Sequence, residues 1–322
     1  MNFFRLLLLV LTASPYIIFA QSSVLDKRVD SVLRLMTLEE KVGQLHQLSS
    51  DFVATGPITK DGDKQDRVRQ GKVGSYLNVT GAARTRSLQE IAMQSRLRIP
   101  LLFAQDVIHG YRTIFPIPLA EAASWDIAAM EQTARVAAIE AAASGIHWTF
   151  APMVDIARDP RWGRVMEGAG EDSYLGSRIA AARVKGFQGK GIGSIDAVMA
   201  CAKHFPGHGD TEKDSHKTLP TISFSKNRLD SIELYPYKRL IEAGLSSIMI
   251  AHLNVPSLEI RANFPSSLSK NIVTNLLQKD LQFNGLVFTD ALNMKGASNF
   301  KEPGEIDLAA FLLITNSISK GL

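Results

Sequence analysis

Short apolar runs precede longer helical patterns again and again along this 322-residue chain. "KVGSYLNV" (72–79) comes before "RTRSLQEIAMQSRL", and "PLLFAQDV" (100–107) before a helical stretch through "DIAAMEQTARVAAIEAAASG". "WTFAPMVDI" (148–156) comes before "YLGSRIAAARVKGFQGKG", and "AVMACAKHF" (197–205) before "SKNRLDSIELYPYKRLIEAG". "SSIMIAHL" (246–253) comes before "SKNIVTNLLQKDLQF", and "GLVFTDAL" (285–292) before "EIDLAAFL". Apolar runs of strand length alternating with helices of ten or more residues predict parallel strands buried on both faces. The expected class is α/β, with a (β/α)8 barrel as the architecture.

The predicted strands share a second feature: each ends in polar residues. Asp106 and His109, Asp155 and Arg158, Lys203 and His204, His252 and Asn254, and Asp290 all follow or close an apolar run. In such a barrel the C-terminal strand ends gather on one face, where catalytic residues sit. Charged residues also mark the plain exit of a strand into a loop, but the same pattern at five strand ends favours the functional reading.

Composition narrows the setting. Residues 1–20 carry Arg5, an apolar run from Leu6 to Ala13, Pro15 and a final Ala20, the layout of a secretory signal peptide, with Ile18 as an irregularity at the cleavage site. The expected mature chain is therefore one domain over 21–322, exported to the periplasm or secreted. No later segment reaches membrane-spanning length without charges, so no stable membrane insertion is expected after signal removal. Hydrophobic residues at 45% and charged residues at 21% are ordinary for a globular protein. A formal net charge of +4 with scattered basic residues gives no case for nucleic acid. The single cysteine, Cys201, lies in an apolar run and reads as core.

Several of the polar residues carry possible chemistry. Asp290, at the end of "GLVFTD", could act as a nucleophile if cations such as Lys203 and Arg164 keep it ionised; otherwise it is a surface or helix-capping aspartate. Asp106 in "AQDVIHG" could accept hydrogen bonds from substrate hydroxyls. Arg158, Arg161 and Arg164, with Trp162 among them, suit a polar ligand with apolar faces, or else pair with Asp155, Asp159, Glu167 or Glu171. "KHFPGHGDTEKDSH" (203–216) admits three readings: a metal site built on His204 and His208, a solvated loop, or a loop that presents Asp214 and His216 as a dyad. "PGHG" does not give the helical i, i+4 presentation of a zinc motif. In a dyad the carboxylate orients the imidazole, which can then serve as general acid and general base.

"LLFAQDVIHGYRTIFPIPLAEAASWD", "APMVDIARDPRWGRVMEGAGED" and "CAKHFPGHG" resemble glycoside hydrolase family 3 from about residue 25 to about 310. The resemblance implies a (β/α)8-like catalytic barrel and retaining hydrolysis of terminal β-linked sugars through a covalent glycosyl-enzyme, with no cofactor or metal. By matching motif it makes Asp290 the nucleophile and assigns Asp106, Arg164, Lys203 and His204 to sugar binding. Residues 25 to about 190 are similar to the periplasmic β-glucosidase branch, whose acid/base glutamate comes from a second domain. Residues from about 200 onward are similar to the β-N-acetylglucosaminidase branch, where a loop carries an Asp-His dyad; Asp214 and His216 stand at those positions. After "KEPGEIDLAAFL" the family pattern would continue with an alanine-glycine-asparagine-aspartate segment and the last strand, so a barrel either incomplete at its C-terminal end or closed in an unusual way is expected. The leading substrate is a β-linked glucoside or oligosaccharide. An N-acetylglucosaminide and a non-catalytic sugar-binding role are the alternatives.

Overall fold

The computed structural model describes residues 24, 26–50 and 63–318; the signal-peptide reading of 1–20 lies outside them. Two compact units divide the chain. The smaller takes in the described parts of 1–48, 61–75 and 87–101. Its helix Leu38–Gln44 opens on a capping box in which the Thr37 hydroxyl accepts from Glu40 N and Glu40 accepts from Thr37 N. Arg96 then binds the same Glu40 carboxylate at 2.5 Å.

Among the described residues seven strands form one sheet in chain order: β1 Gln47–Ser49, β2 Ser75–Leu77, β3 Leu102–Gln105, β4 Trp148–Thr149, β5 Met199–Phe205, β6 Ser247–Ile250 and β7 Leu286–Thr289. Pairing from β3 through β7 is parallel throughout. Sequential parallel order with a helix in each crossover is the arrangement of a (β/α)8-type barrel lacking one strand, as expected from the sequence.

Six of the seven strands fall within the predicted apolar runs. The seventh, β1, is three residues long and has no apolar run to mark it. β4 pairs over only two residues of the predicted 148–156, because Pro152 has no N–H to donate. The chain nonetheless continues beside β5, with Cys201 N donating to Ala151 O and Val154 N to Lys203 O. That path carries Asp155 to the end of β5.

The larger unit is held by an aromatic layer. Trp148, Phe150 and Phe288 pack within 4.9–5.2 Å of one another, with Ala104, Cys201 and Met249 filling the layer. Five consecutive strands thus contribute to one dry cluster, and the one polar atom that Trp148 brings, Nε1, donates to Ser247 Oγ at 2.7 Å. Burial raises the Cys201 thiol to about 12, as befits a core residue and not a nucleophile. On the outside, helices Ile127–Ala143 and Ser173–Gln188 approach so closely that a side chain at Gly186 would meet Glu131 O at 2.3 Å.

Candidate active site

The strand ends of the larger unit bring the expected residues together. Asp106 follows β3 directly, Lys203 and His204 lie in the last turns of β5, His252 is two residues beyond β6, and Asp290 follows β7 directly. Asp290 N donates to Ile250 O at 2.9 Å, which continues the β6–β7 ladder by one residue and fixes where the carboxylate leaves the strand.

Buried Lys203 donates from Nζ to Asp106 Oδ1 at 2.5 Å, linking β5 to β3. The neighbouring His204 is held on both ring nitrogens. Arg164 donates to its Nε2 at 3.1 Å, so Nε2 is unprotonated and the Nδ1–H donates to Asp155 Oδ2 at 2.7 Å. Burial, followed by the charges of Arg164 and Lys203, keeps His204 well below the ordinary histidine value, and the ring is neutral. Arg164 is itself clamped by Glu167 through two parallel bonds of 2.7 and 2.8 Å.

Burial alone would raise the Asp290 carboxyl. Against it, the Ala291 N–H at 2.8 Å and the Arg164 guanidinium favour the ionised form, and any proton on the otherwise neutral rings of His204 and His252 would do so further; the group is held below the usual carboxylate range. An ionised carboxylate at a strand end, with an arginine in its field, has the chemistry a nucleophile requires. His252 closes this side: its Nε2–H donates to Ala291 O at 3.0 Å and its Nδ1 bonds Ser267 Oγ at 2.7 Å.

The loop after β5 carries the other expected pair. His216 Nδ1 lies 2.7 Å from Asp214 Oδ1, which also accepts from His216 N at 2.9 Å. The pair is partly exposed, and the bond at Nδ1 leaves Nε2 as the atom able to exchange a proton. The metal reading of this loop loses a ligand, because both His204 nitrogens are engaged. Among the described residues no group of three or more His, Cys, Asp or Glu side chains is placed to hold a metal ion.

Of the three arginines around Trp162, one reaches the site. Arg161 is exposed and pairs with Asp159 and Glu212. Arg158 is exposed, and its N–H donates to Gly209 O. Trp162 is buried against the His208 ring at 5.3 Å, so it is core and not an apolar platform for a ligand. Asp155, read in the sequence as a polar strand end and a possible partner of the arginines, is the buried acceptor that orients His204. His252, read only as a polar strand end, donates to the carbonyl of Ala291 beside Asp290.

Known proteins share this fold. The family model described as "Glycosyl hydrolase family 3 N terminal domain" matches residues 37–311. A periplasmic β-glucosidase of Salmonella typhimurium is 37% identical over 266 residues, covering 82% of this chain and 33% of that protein. The solved β-glucosidase of Listeria innocua in complex with isofagomine superimposes with a TM-score of 0.78 at 34% identity, covering 88% of this chain and 40% of that one. A family 3 β-N-acetylglucosaminidase from Paenibacillus sp. str. FPU-7 gives a TM-score of 0.76 at 32% identity, covering 86% of this chain and 53% of that one. The chain thus spans about a third of the length of the Salmonella relative.

Proposed function

The chain belongs to glycosyl hydrolase family 3, and from that premise we propose that it is a retaining exo-β-glycosidase acting on terminal β-D-glucosyl residues. The observation that carries this reading is Asp290, a carboxylate held ionised at the end of β7 beside the Arg164–His204 pair. In the first step an Asp290 oxygen forms an ester bond to the anomeric carbon as the glycosidic C–O bond breaks, and His216 delivers a proton to the departing oxygen. In the second step His216 takes a proton from water, whose oxygen displaces Asp290 and releases the sugar with its original configuration. Lys203, Asp106 and Arg164 hold the sugar hydroxyls, and His204, engaged on both ring nitrogens, lines the subsite and orients Arg164. The chemistry needs no cofactor.

The preference for glucosides is supported by the Salmonella and Listeria relatives, both named as β-glucosidases. A second reading, β-N-acetylglucosaminidase, is favoured by the hydrogen-bonded Asp214–His216 pair and by the name of the Paenibacillus relative. A periplasmic or secreted location is supported by the Salmonella relative's name, and no helix among the described residues is long and apolar enough to cross a membrane. Hydrolysis of p-nitrophenyl β-glucoside and of the corresponding β-N-acetylglucosaminide, measured side by side, tests the proposal. A faster glucoside upholds it and a faster N-acetylglucosaminide moves it to the second reading. Binding without turnover of either overturns both in favour of a sugar-binding role.

A further inference from the structure

The Asp214–His216 pair sits on a loop whose residues 212, 213, 216 and 217 are exposed, yet Ser215 between the two is 2% exposed. The buried residue is an anchor. Its carbonyl accepts from Gly296 N at 3.1 Å, in the short helix that follows Asp290. A side chain at Gly296 would come within 3.0 Å of Ser215 O, 3.1 Å of Thr218 O and 2.9 Å of His252 Cβ. Gly296 is not among the residues with positive φ, so proximity and not backbone conformation calls for glycine here. His252 in turn donates to the carbonyl of Ala291, the residue next to Asp290. Three segments therefore meet at Gly296: the dyad loop, the end of β6 and the end of β7.

The loop has a second fastening nearer β5. Asp210 pairs with Arg228, whose guanidinium lies 3.4 Å over the Phe224 ring and 3.6 Å from buried Glu233. Beside it, Gly209 O accepts from the N–H groups of Arg158 and Asp159. Between these points, residues 212 and 213 are exposed. An untethered loop of this kind would spread His216 over many orientations, and a proton donor misplaced by an ångström loses much of its effect.

We propose that Gly296 and the Asp210–Arg228 ion pair are positioning elements for the Asp214–His216 dyad, fastening its loop to the segment that carries Asp290. The inference rests on the reading of His216 as acid/base. It extends that reading to residues that touch neither sugar nor reacting atoms.

The test compares an unactivated alkyl β-glycoside with a dinitrophenyl β-glycoside in Gly296→Ala, Asp210→Asn, His216→Ala and the Gly296→Ala/His216→Ala double variant. Gly296→Ala should lower kcat/KM for the alkyl substrate by about 30- to 100-fold and for the activated one by less than about threefold, as befits a displaced general acid. Adding Gly296→Ala to His216→Ala should cost nothing further, because the residue to be positioned is gone. Asp210→Asn should show the same selectivity with a smaller loss, and it decides the matter alone if Gly296→Ala does not fold. Equal losses on both substrates, or additive losses in the double variant, overturn the fastening while the acid/base reading stands. A His216→Ala enzyme with no leaving-group preference overturns the acid/base reading itself and the fastening with it.

Discussion

Asp155 holds His204 at two points: its carboxylate accepts from the backbone N–H, 3.2 Å from each oxygen, and from ring Nδ1 at 2.7 Å. The same group accepts from His208 N at 2.7 Å and is almost fully buried. Burial pushes the Asp155 carboxyl up, but these donors and the charge of Arg164 pull the other way. One side chain thus sets the path of the chain leaving β5 and the tautomer of His204. Replacing it leaves three buried N–H donors without a partner.

Asp155→Ala should therefore destabilise the protein by about 2–5 kcal/mol, the range for removing one partner from a buried charged network. Chemical denaturation with an unchanged m-value is the measurement. A loss below about 0.5 kcal/mol, the level of an ordinary surface substitution, would contradict this role.

Asp290→Asn keeps the shape of the side chain and removes its charge and nucleophilicity. Turnover should fall by at least about a thousandfold, with the unfolding transition little changed. A slow 2-fluoro glycoside should label the native enzyme at Asp290 and leave the variant unlabelled, as read by peptide mass. Label retained on another carboxylate would move the nucleophile.

How far the sequence foretold this site depended on whether the cause was local. The positions of Asp106, Lys203, His204 and Asp290 at strand ends were legible, because each terminates an apolar run and parallel order stacks those ends together. The pairing of Asp155 with His204, across 49 positions, and the approach of Gly296 to Ser215 have no local signature. They arise only when separate crossovers pack. Trp162 misled in the opposite sense: among three arginines it looks like a surface aromatic, yet the turn Pro160–Trp162 rotates it inward onto His208. The predicted helix 225–244 is two helices, Lys226–Ser231 and Tyr235–Glu242, with Pro236 in the first turn of the second, where its missing N–H costs nothing.

Acid should destabilise the fold in two stages. Burial holds His204, His208 and His252 below their ordinary 6.5, so below that pH the unfolded chain binds protons that the folded chain refuses, and stability falls as pH falls. Glu259 follows at lower pH. Its bonds to Arg261 and the Ser269 hydroxyl hold it at about 2 instead of 4.5; its stabilisation is complete above 4.5 and is lost as pH drops through 2. Urea midpoints measured from pH 7.5 down to 2.5 should show both stages. The gap between native protein and Glu259→Gln should be constant above 4.5 and shrink below it; a gap that widened on acidification would contradict the sign.

The proposed mechanism divides one task between the two residues of the dyad, and their replacements should differ in kind. His216→Ala removes the proton carrier, so with activated phenyl glycosides the first step survives and the second slows; the glycosyl-enzyme should accumulate, giving a burst of phenol followed by slow turnover. Azide, which attacks without losing a proton to a base, should restore turnover and yield the β-glycosyl azide. In that mechanism Asp214 acts only on the imidazole: its carboxylate fixes the Nδ1–H tautomer through the 2.7 Å bond and stabilises the protonated ring. Asp214→Ala should therefore give a weaker burst and weaker azide rescue. Asp214→Asn, whose amide can still accept at Nδ1 but lacks the charge, should fall between Asp214→Ala and the native enzyme. Pre-steady-state phenol release from the variants measures all of this in one experiment. If Asp214→Ala matched His216→Ala in burst size and rescue, the carboxylate would be taking part in proton transfer directly, and the division of roles within the pair would have to be redrawn.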